Sequence, residues 1–338
     1  HATEYDRSAG NPNPAVLDYE RFGLENADKI IAVSNFTKDK IVDKYNIDPK
    51  KIKVVHNAIE KNITNSSVRP EMTKQKDEKM VLFLGRLTIA KGADYLLQAA
   101  QKVIKIVPEA KFVFVGKGEM IKELIDMSIE LGISENIVFT GWLNHEQVDQ
   151  AYKQADLFVM PSITEPFGLT ALEAMRNGTP VLLSRQSGVS EVVQNCLKVD
   201  FWDIDAMANK ILSVLRYQPL QETLRENGNH DVDHLSWESQ TSKIIDLYNE
   251  LINKDNNKGY FRGDLPHTNK FFIEKVGKKS YHPTNNLLLD LLAKHKEFKC
   301  SFSISGIAVE QFEKYDPTLI ESFQSLVKTR RVELLSET

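Results

Sequence analysis

Glu165 and Glu173 stand eight residues apart in the run TEPFGLTALEAMRNGTPVLLS (164–184). A strand-like run, DLFVMPS, precedes the first, and a helix-like run, LTALEAMRNG, contains the second. An opening helix presents free N–H groups and the positive end of its dipole, which suits a phosphate. Phe167, Gly168, Leu169 and Thr170 would supply those donors, and Gly168 lets a ligand come close to the backbone. A carboxylate repels phosphate but accepts strong hydrogen bonds from sugar hydroxyls. An elongated ligand reconciles the two, with hydroxyls at both ends and a diphosphate between them. Glu165 is then expected to hold one hydroxylated end and Glu173 the other. Read as two helical turns, the spacing is roughly 11 Å, comparable with the span of a sugar nucleotide. The positive charge comes from GRLTIAKG, where Arg86 and Lys91 lie five residues apart in one loop. A planar guanidinium and a mobile ammonium make a diphosphate clamp that stabilises charge on a departing nucleoside diphosphate.

The rest of the chain is built to position such loops. Continuous apolar runs (MVLFLGR, AKFVFVGKG, NIVFTGW, ADLFVMPS, TPVLLS) alternate with segments of helical periodicity such as ADYLLQAAQKVIKIV. That pattern predicts a parallel sheet covered on both faces, spanning 78–253. Sites in such sheets gather at the carboxyl ends of the strands. Arg86, Lys91, Gly116, Gly141, Glu165 and Gly188 all fall there. Upstream, ADKIIAVS and KIKVVHNAI read as strands with NFTKDKIVDKYN as a helix between them, within 1–60. The polar stretch 61–77 reads as a linker. Beyond 264, PTNNLLLDLLAKH and TLIESFQSLVKTR read as helices and FKCSFSISG as a strand.

Composition excludes several classes. The 338 residues carry a net charge of −4, which gives no electrostatic case for nucleic-acid binding. No run of about 18 apolar residues is present, so no membrane span is expected. Two distant cysteines, Cys196 and Cys300, make neither a disulfide framework nor a metal pattern, which favours a cytoplasmic setting. The histidines show no metal-ligand spacing, and no metal is expected. The chain opens HATEYDRS without an initiator methionine and stops at RVELLSET, which reads as an interrupted strand and loop. It is therefore expected to be a fragment.

Taken together, these residues resemble the retaining GT-B glycosyltransferases of family 4. Glu165 to Glu173 matches that family's E-x7-E signature, FLGRLTIAKG its strand–Gly-Arg–Lys loop, and GVSEVV (188–193) its later glycine–glutamate turn. The resemblance covers residues 1–253. It implies an α/β fold: a GT-B C-terminal Rossmann-like domain with a doubly wound parallel sheet (78–253), preceded by a remnant of the N-terminal Rossmann domain (1–60). It also implies roles. Arg86 and Lys91 would neutralise the diphosphate, and Glu165 would contact the transferred hexose, these three being the catalytic group. Phe167, Gly168, Leu169 and Thr170 would hold the donor through their backbone, and Glu173 would bind the ribose. Gly85, Gly116 and Gly118 would lie near the nucleotide and Gly141 and Trp142 beside the base, while His1 would contact the donor sugar. The implied substrate is a UDP- or ADP-linked sugar, glucose first, with a glycan acceptor such as glycogen. The remainder of the N-terminal domain, which builds the acceptor side, would be encoded separately, and the chain alone would bind donor with little turnover.

Residues 264–338 resemble the early part of glycoside hydrolase family 57, an incomplete (β/α)-barrel. The barrel's His-Gln-Pro strand and the segments bearing its catalytic carboxylates are absent, and neither Glu333 nor Glu337 corresponds to them, so no hydrolase activity is expected. Two other readings of the main domain stand beside the transferase: a nucleotide-sugar binding module without turnover, and a nucleotide-sugar 2-epimerase. The E-P-F-G-L-T form and the Arg86/Lys91 loop speak against the epimerase. Glu191 either caps a helix near Gly188 or contacts ligand, His56 is expected to be structural, and Trp237 is expected to anchor the closing helix.

The division of labour between the glutamates is testable by calorimetry. Glu173→Ala should weaken binding of free nucleoside diphosphate about tenfold, roughly 1.4 kcal/mol. Glu165→Ala should leave that affinity nearly unchanged and reduce use of the sugar-linked donor.

Overall fold

A computed structural model describes residues 2–8, 11–59, 74, 78–256, 273, 277–297 and 299–337. The chain divides into two compact units, His1–Glu250 and Leu251–Thr338. The expected linker, 61–77, lies outside the described residues except for Lys74.

The first unit opens with helices α1 (Glu4–Arg7) and α2 (Pro14–Asn26), strand β1 (Ile30–Ala32), helix α3 (Asn35–Tyr45) and strand β2 (Ile52–Val54). Asn13 caps α2 through Ala15 N at 3.0 Å, and Pro14 occupies the first turn, where no amide is missed. Ser34 caps α3 through Thr37 N at 3.0 Å, and Asn46, left-handed at φ 57°, ends it. β1 and β2 pair in parallel over a small core of Ile30, Ala32, Ile41, Tyr45, Ile47 and Ile52.

The main sheet has six parallel strands in the order β5-β4-β3-β6-β7-β8. These are β3 (Lys79–Leu84), β4 (Ala110–Val115), β5 (Ile137–Gly141), β6 (Leu157–Met160), β7 (Val181–Ser184) and β8 (Leu197–Val199). The last is a three-residue edge strand that hydrophobic patterning did not reveal. Residues alternate between two cores, as strand geometry requires. Val81, Phe83, Phe112, Phe114, Leu157 and Val159 face helices α4 (Ala93–Ile104), α5 (Ile121–Glu130) and α8 (Ile204–Arg216). Met80, Leu82, Val113, Val115, Phe158 and Met160 face α6 (His145–Gln154) and α7 (Leu169–Arg176). Burial on both faces explains why these strands read as unbroken apolar runs. Helices α9 (Gln218–Asp233) and α10 (Trp237–Asn256) follow. Gln240 and Leu247 of α10 are buried, whereas Trp237 is 47% exposed, so it does not anchor the helix as expected.

In the second unit, helix His282–Lys294 precedes β9 (Cys300–Ser305). Helices Gly306–Tyr315 and Pro317–Lys328 then lead to β10 (Val332–Glu337), which pairs with β9 in parallel through all six residues. The closing segment forms a strand through Glu337, its backbone satisfied by a parallel partner. Leu292, Phe312, Leu319, Phe323, Leu326 and Val332 form the core of this unit. Among the described residues no helix is long and apolar enough to cross a membrane.

Leu96 of α4 is fully buried in the first core of the main sheet. Leu96→Ala should cost about 2–5 kcal/mol in urea unfolding of the first unit, by lost transfer energy plus the cavity left behind. A change below about 1 kcal/mol would contradict this packing.

Candidate functional site

The order of the sheet places the site. From β3 the chain crosses through α4 to β4 on one side, and from β6 through α7 to β7 on the other. The loops leaving the carboxyl ends of adjacent β3 and β6 therefore diverge to opposite faces and open a crevice between them. One loop carries Arg86 and Lys91; the other carries Glu165 to Thr170.

The second loop is held by backbone. Glu165 and Ser187 form an isolated parallel bridge, with Glu165 N donating to Gln186 O and Gly188 N to Glu165 O, both at 3.0 Å. Val189 N donates to Phe167 O at 2.7 Å. A Cβ at Gly188 would stand 2.2 Å from Pro166 O, so only glycine permits this approach. From the other side, Ser34 Oγ and Thr37 Oγ1 donate to Pro166 O at 2.6 and 3.2 Å. Glu191 accepts Asn35 N at 2.9 Å, Asn35 Nδ2 at 3.0 Å and Phe36 N at 2.6 Å. It therefore caps α3, and not a helix near Gly188, and ties that helix to the same loop cluster. His56 Nε2 lies 3.4 Å from Glu191, in keeping with a structural role.

Helix α7 begins at Leu169, after Gly168 turns left-handed at φ 109°. Among the described residues the amides of Phe167, Gly168, Leu169 and Thr170 donate to no protein acceptor. This is the anion-receptive helix start expected from the sequence. Glu173 is the fifth residue of that helix, one turn inside and not two, because the turn 165–168 is not helical. The 11 Å figure for two turns does not apply. Glu173 accepts a hydrogen bond from Tyr152 Oη at 3.1 Å. Burial of Tyr152, with Glu173 beside it, pushes the phenol pKa well up.

The first loop leaves β3 at Gly85. Leu87 N donates to Lys117 O at 3.0 Å and Met120 N to Leu87 O at 3.1 Å, locking it to the turn after β4. Gly116 and Gly118 allow that contact: a Cβ on either would lie 1.9 Å from Gly85 O or 2.1 Å from Leu87 O. Their role here is to set the backbone that carries Arg86. Lys91 ends a short 3-10 turn, Ile89–Lys91, that Ile163 N holds through Ala90 O at 3.0 Å. Its ammonium pairs with the Glu165 carboxylate. Two of the three expected catalytic residues thus come from opposite loops into direct contact, and Arg86 stands exposed beside them.

A cleft of about 660 Å³ opens over this pair. Arg86, Lys91, Glu165, Phe167, Gly168, Leu169 and Thr170 line it, as do Ala2, Asp6, Arg7 and Ser8 from the α1 segment. Gly85, Gly116, Gly118, Gly141, Trp142 and Glu173 are not part of its lining. Trp142 is 66% exposed next to Gly141, the last residue of β5. His1 lies outside the described residues. Asp6 was not anticipated. It is 5% exposed; burial drives its pKa up, but Lys40, Thr3 and Thr164 outweigh that and hold it below the usual carboxylate range. No local pattern links Asp6 to Lys40, 34 residues away.

Comparison with known proteins places these features in context. The chain matches Glycosyl transferases group 1 over residues 64–231, Glycosyltransferase Family 4 over 1–62 and Glycosyl hydrolase family 57 over 233–338. An uncharacterized glycosyltransferase of Methanocaldococcus jannaschii is 34% identical over 263 residues, covering 73% of this chain and 67% of that protein. The D-inositol 3-phosphate glycosyltransferase of Mycobacteroides abscessus is 31% identical, covering 54% of this chain and 42% of its own length. Mannosylfructose-phosphate synthase of Agrobacterium fabrum is 26% identical, at 68% and 55%. The chain thus spans about half the length of the latter two relatives. In fold it is similar to sucrose-phosphate synthase from Thermosynechococcus elongatus (TM-score 0.63, 24% identity, 75% of this chain and 67% of that one). It is likewise similar to Anabaena HepE in complex with UDP and glucose (TM-score 0.63, 20% identity, 70% and 68%).

The contact at Gly188 gives a direct test of the loop's backing. Gly188→Ala should push Pro166 away and lower nucleoside diphosphate affinity at least about tenfold, roughly 1.4 kcal/mol, with the circular dichroism spectrum unchanged. Gly23→Ala, where a Cβ meets nothing within 4 Å, should leave affinity alone.

Proposed function

The chain belongs to the glycosyltransferases, and from that premise we propose that it is the donor-binding part of a retaining hexosyltransferase. The observation that carries this reading is the Lys91–Glu165 ion pair beside the free amides that open α7, with Arg86 on the same cleft. A nucleoside diphosphate seated on those amides brings two cations within reach, Arg86 and Lys91. Both stabilise the charge that grows on the diphosphate as the glycosidic bond breaks. Glu165, held in place by Lys91 and by the bridge to Ser187, accepts hydrogen bonds from the hexose hydroxyls. With cations supplied by side chains, the reaction proposed here needs no metal.

The donor we favour is UDP- or ADP-glucose, in a cytoplasmic protein. The relatives named above act on differing acceptors, an inositol phosphate in one and a fructose phosphate in another by their names. We favour an α-glucan such as glycogen here, on the strength of the neighbouring glycoside hydrolase family 57 match.

Incubating the chain with UDP- or ADP-glucose and maltooligosaccharides, and following the anomeric protons by NMR, tests the reading. An α-linked product from the α-linked donor is expected, formed slowly by this chain alone. Glu165→Gln should lower its rate of formation about 10²-fold or more. Donor binding without product would instead favour the binding module, and a β-linked product would exclude retention.

A further inference from the structure

We infer that Asp6, Lys40 and Thr164 form a latch that sets the sugar end of the donor cleft, acting as positioning residues for Glu165. The inference rests on the donor-site reading above.

The three residues come from three elements: α1, α3 and the loop after β6. Lys40 pairs with Asp6 Oδ1 and donates to Thr164 Oγ1 at 2.7 Å. Thr164 Oγ1 donates to Asp6 Oδ1 at 2.8 Å. The other carboxylate oxygen of Asp6 accepts from Thr3 N and Thr3 Oγ1, each at 2.8 Å. Both oxygens are therefore engaged inside the protein, although Asp6 borders the cleft. Such a group holds structure in place and is not free to bind a hydroxyl. Its ammonium partner is compensated in the same way, with the Lys40 side chain only 16% exposed.

What the latch joins gives it a direction. Thr164 immediately precedes Glu165, and α1 forms a wall of the cleft that Glu165 also lines. Asp6 and Lys40 pin that wall to the peptide entering Glu165. The amides of Gly168 to Thr170 are braced separately, by the Val189–Phe167 bond and by Ser34 and Thr37 on Pro166. Loss of the latch therefore moves the wall and Glu165 relative to each other and leaves the diphosphate cradle standing.

Calorimetry on the full chain with UDP, ADP, UDP-glucose and ADP-glucose tests this. For Asp6→Asn, the ratio of sugar-nucleotide to nucleoside diphosphate affinity should fall at least about tenfold, with nucleoside diphosphate affinity itself within about threefold of wild type. Thr164→Val, which keeps the side-chain shape and removes both hydrogen bonds, should do the same and supplies the test if Asp6→Asn does not fold. Thr164→Ser should restore the ratio. Equal losses for both ligand types, or no change of ratio in either variant, would overturn the latch while leaving the donor site intact. A wild-type chain that binds none of the four ligands would overturn the donor-site reading, and the latch with it.

Discussion

The structure of the site depends on one contact between two loops, the Lys91–Glu165 ion pair at the point where the sheet changes direction. Its partners descend from β3 and β6, adjacent strands whose connections leave to opposite faces. One loop carries only a three-residue 3-10 turn and the other only an isolated bridge to Ser187. The turn after β6 borrows backbone bonds from Gln186, Gly188 and Val189, and hydroxyl donors from Ser34 and Thr37. The turn after β3 borrows them from Lys117 and Met120. Each loop is stiffened by its neighbour, and the charge pair joins them beside the Ile163–Ala90 backbone bond. The Glu165 side chain is only 12% exposed, so removing Lys91 would leave a largely desolvated carboxylate without its counter-charge, a costly state. The same pair is well suited to a ligand with a negative centre and a hydroxylated end, since each partner meets the part of it that the other cannot bind.

Segment 1–60 is more than an appendage to the sheet. Ser34 and Thr37 at the start of α3 reach Pro166, Glu191 reaches back to cap α3, and Asp6 and Lys40 meet Thr164. The polar atoms of a helix terminus, which need partners in any case, are satisfied by the loop that the site requires. The capping of α3 and the shape of the cleft thus rest on the same contacts.

Much of this was legible beforehand, for physical reasons. Parallel strands buried on both faces are continuous apolar runs, so β3 to β7 could be read directly, and the residues at their carboxyl ends followed. Arg86, Lys91, Glu165 and the amides of 167–170 meet in one cleft as that reading requires. Other features depend on contacts that leave no periodic trace. The edge strand Leu197–Val199 is too short to show a pattern. The depth of Glu173 in α7 was misjudged because Gly168, left-handed, delays the helix to Leu169. The capping role of Glu191 and the pairing of Asp6 with Lys40 bring together residues distant in sequence, which only the fold can reveal. Gly116 and Gly118 could be read equally as turn glycines or as ligand contacts, and the backbone they press upon is the protein's own.

The central claim is that the start of α7 and the Lys91–Glu165 pair form one donor site. A crystal structure of the chain with bound UDP-glucose or ADP-glucose tests it most directly. The account predicts diphosphate oxygens about 3 Å from the amides of Gly168 to Thr170 and from Lys91 Nζ, with Glu165 against the sugar hydroxyls. A diphosphate seated away from the start of α7, or a sugar turned away from Glu165, would contradict it.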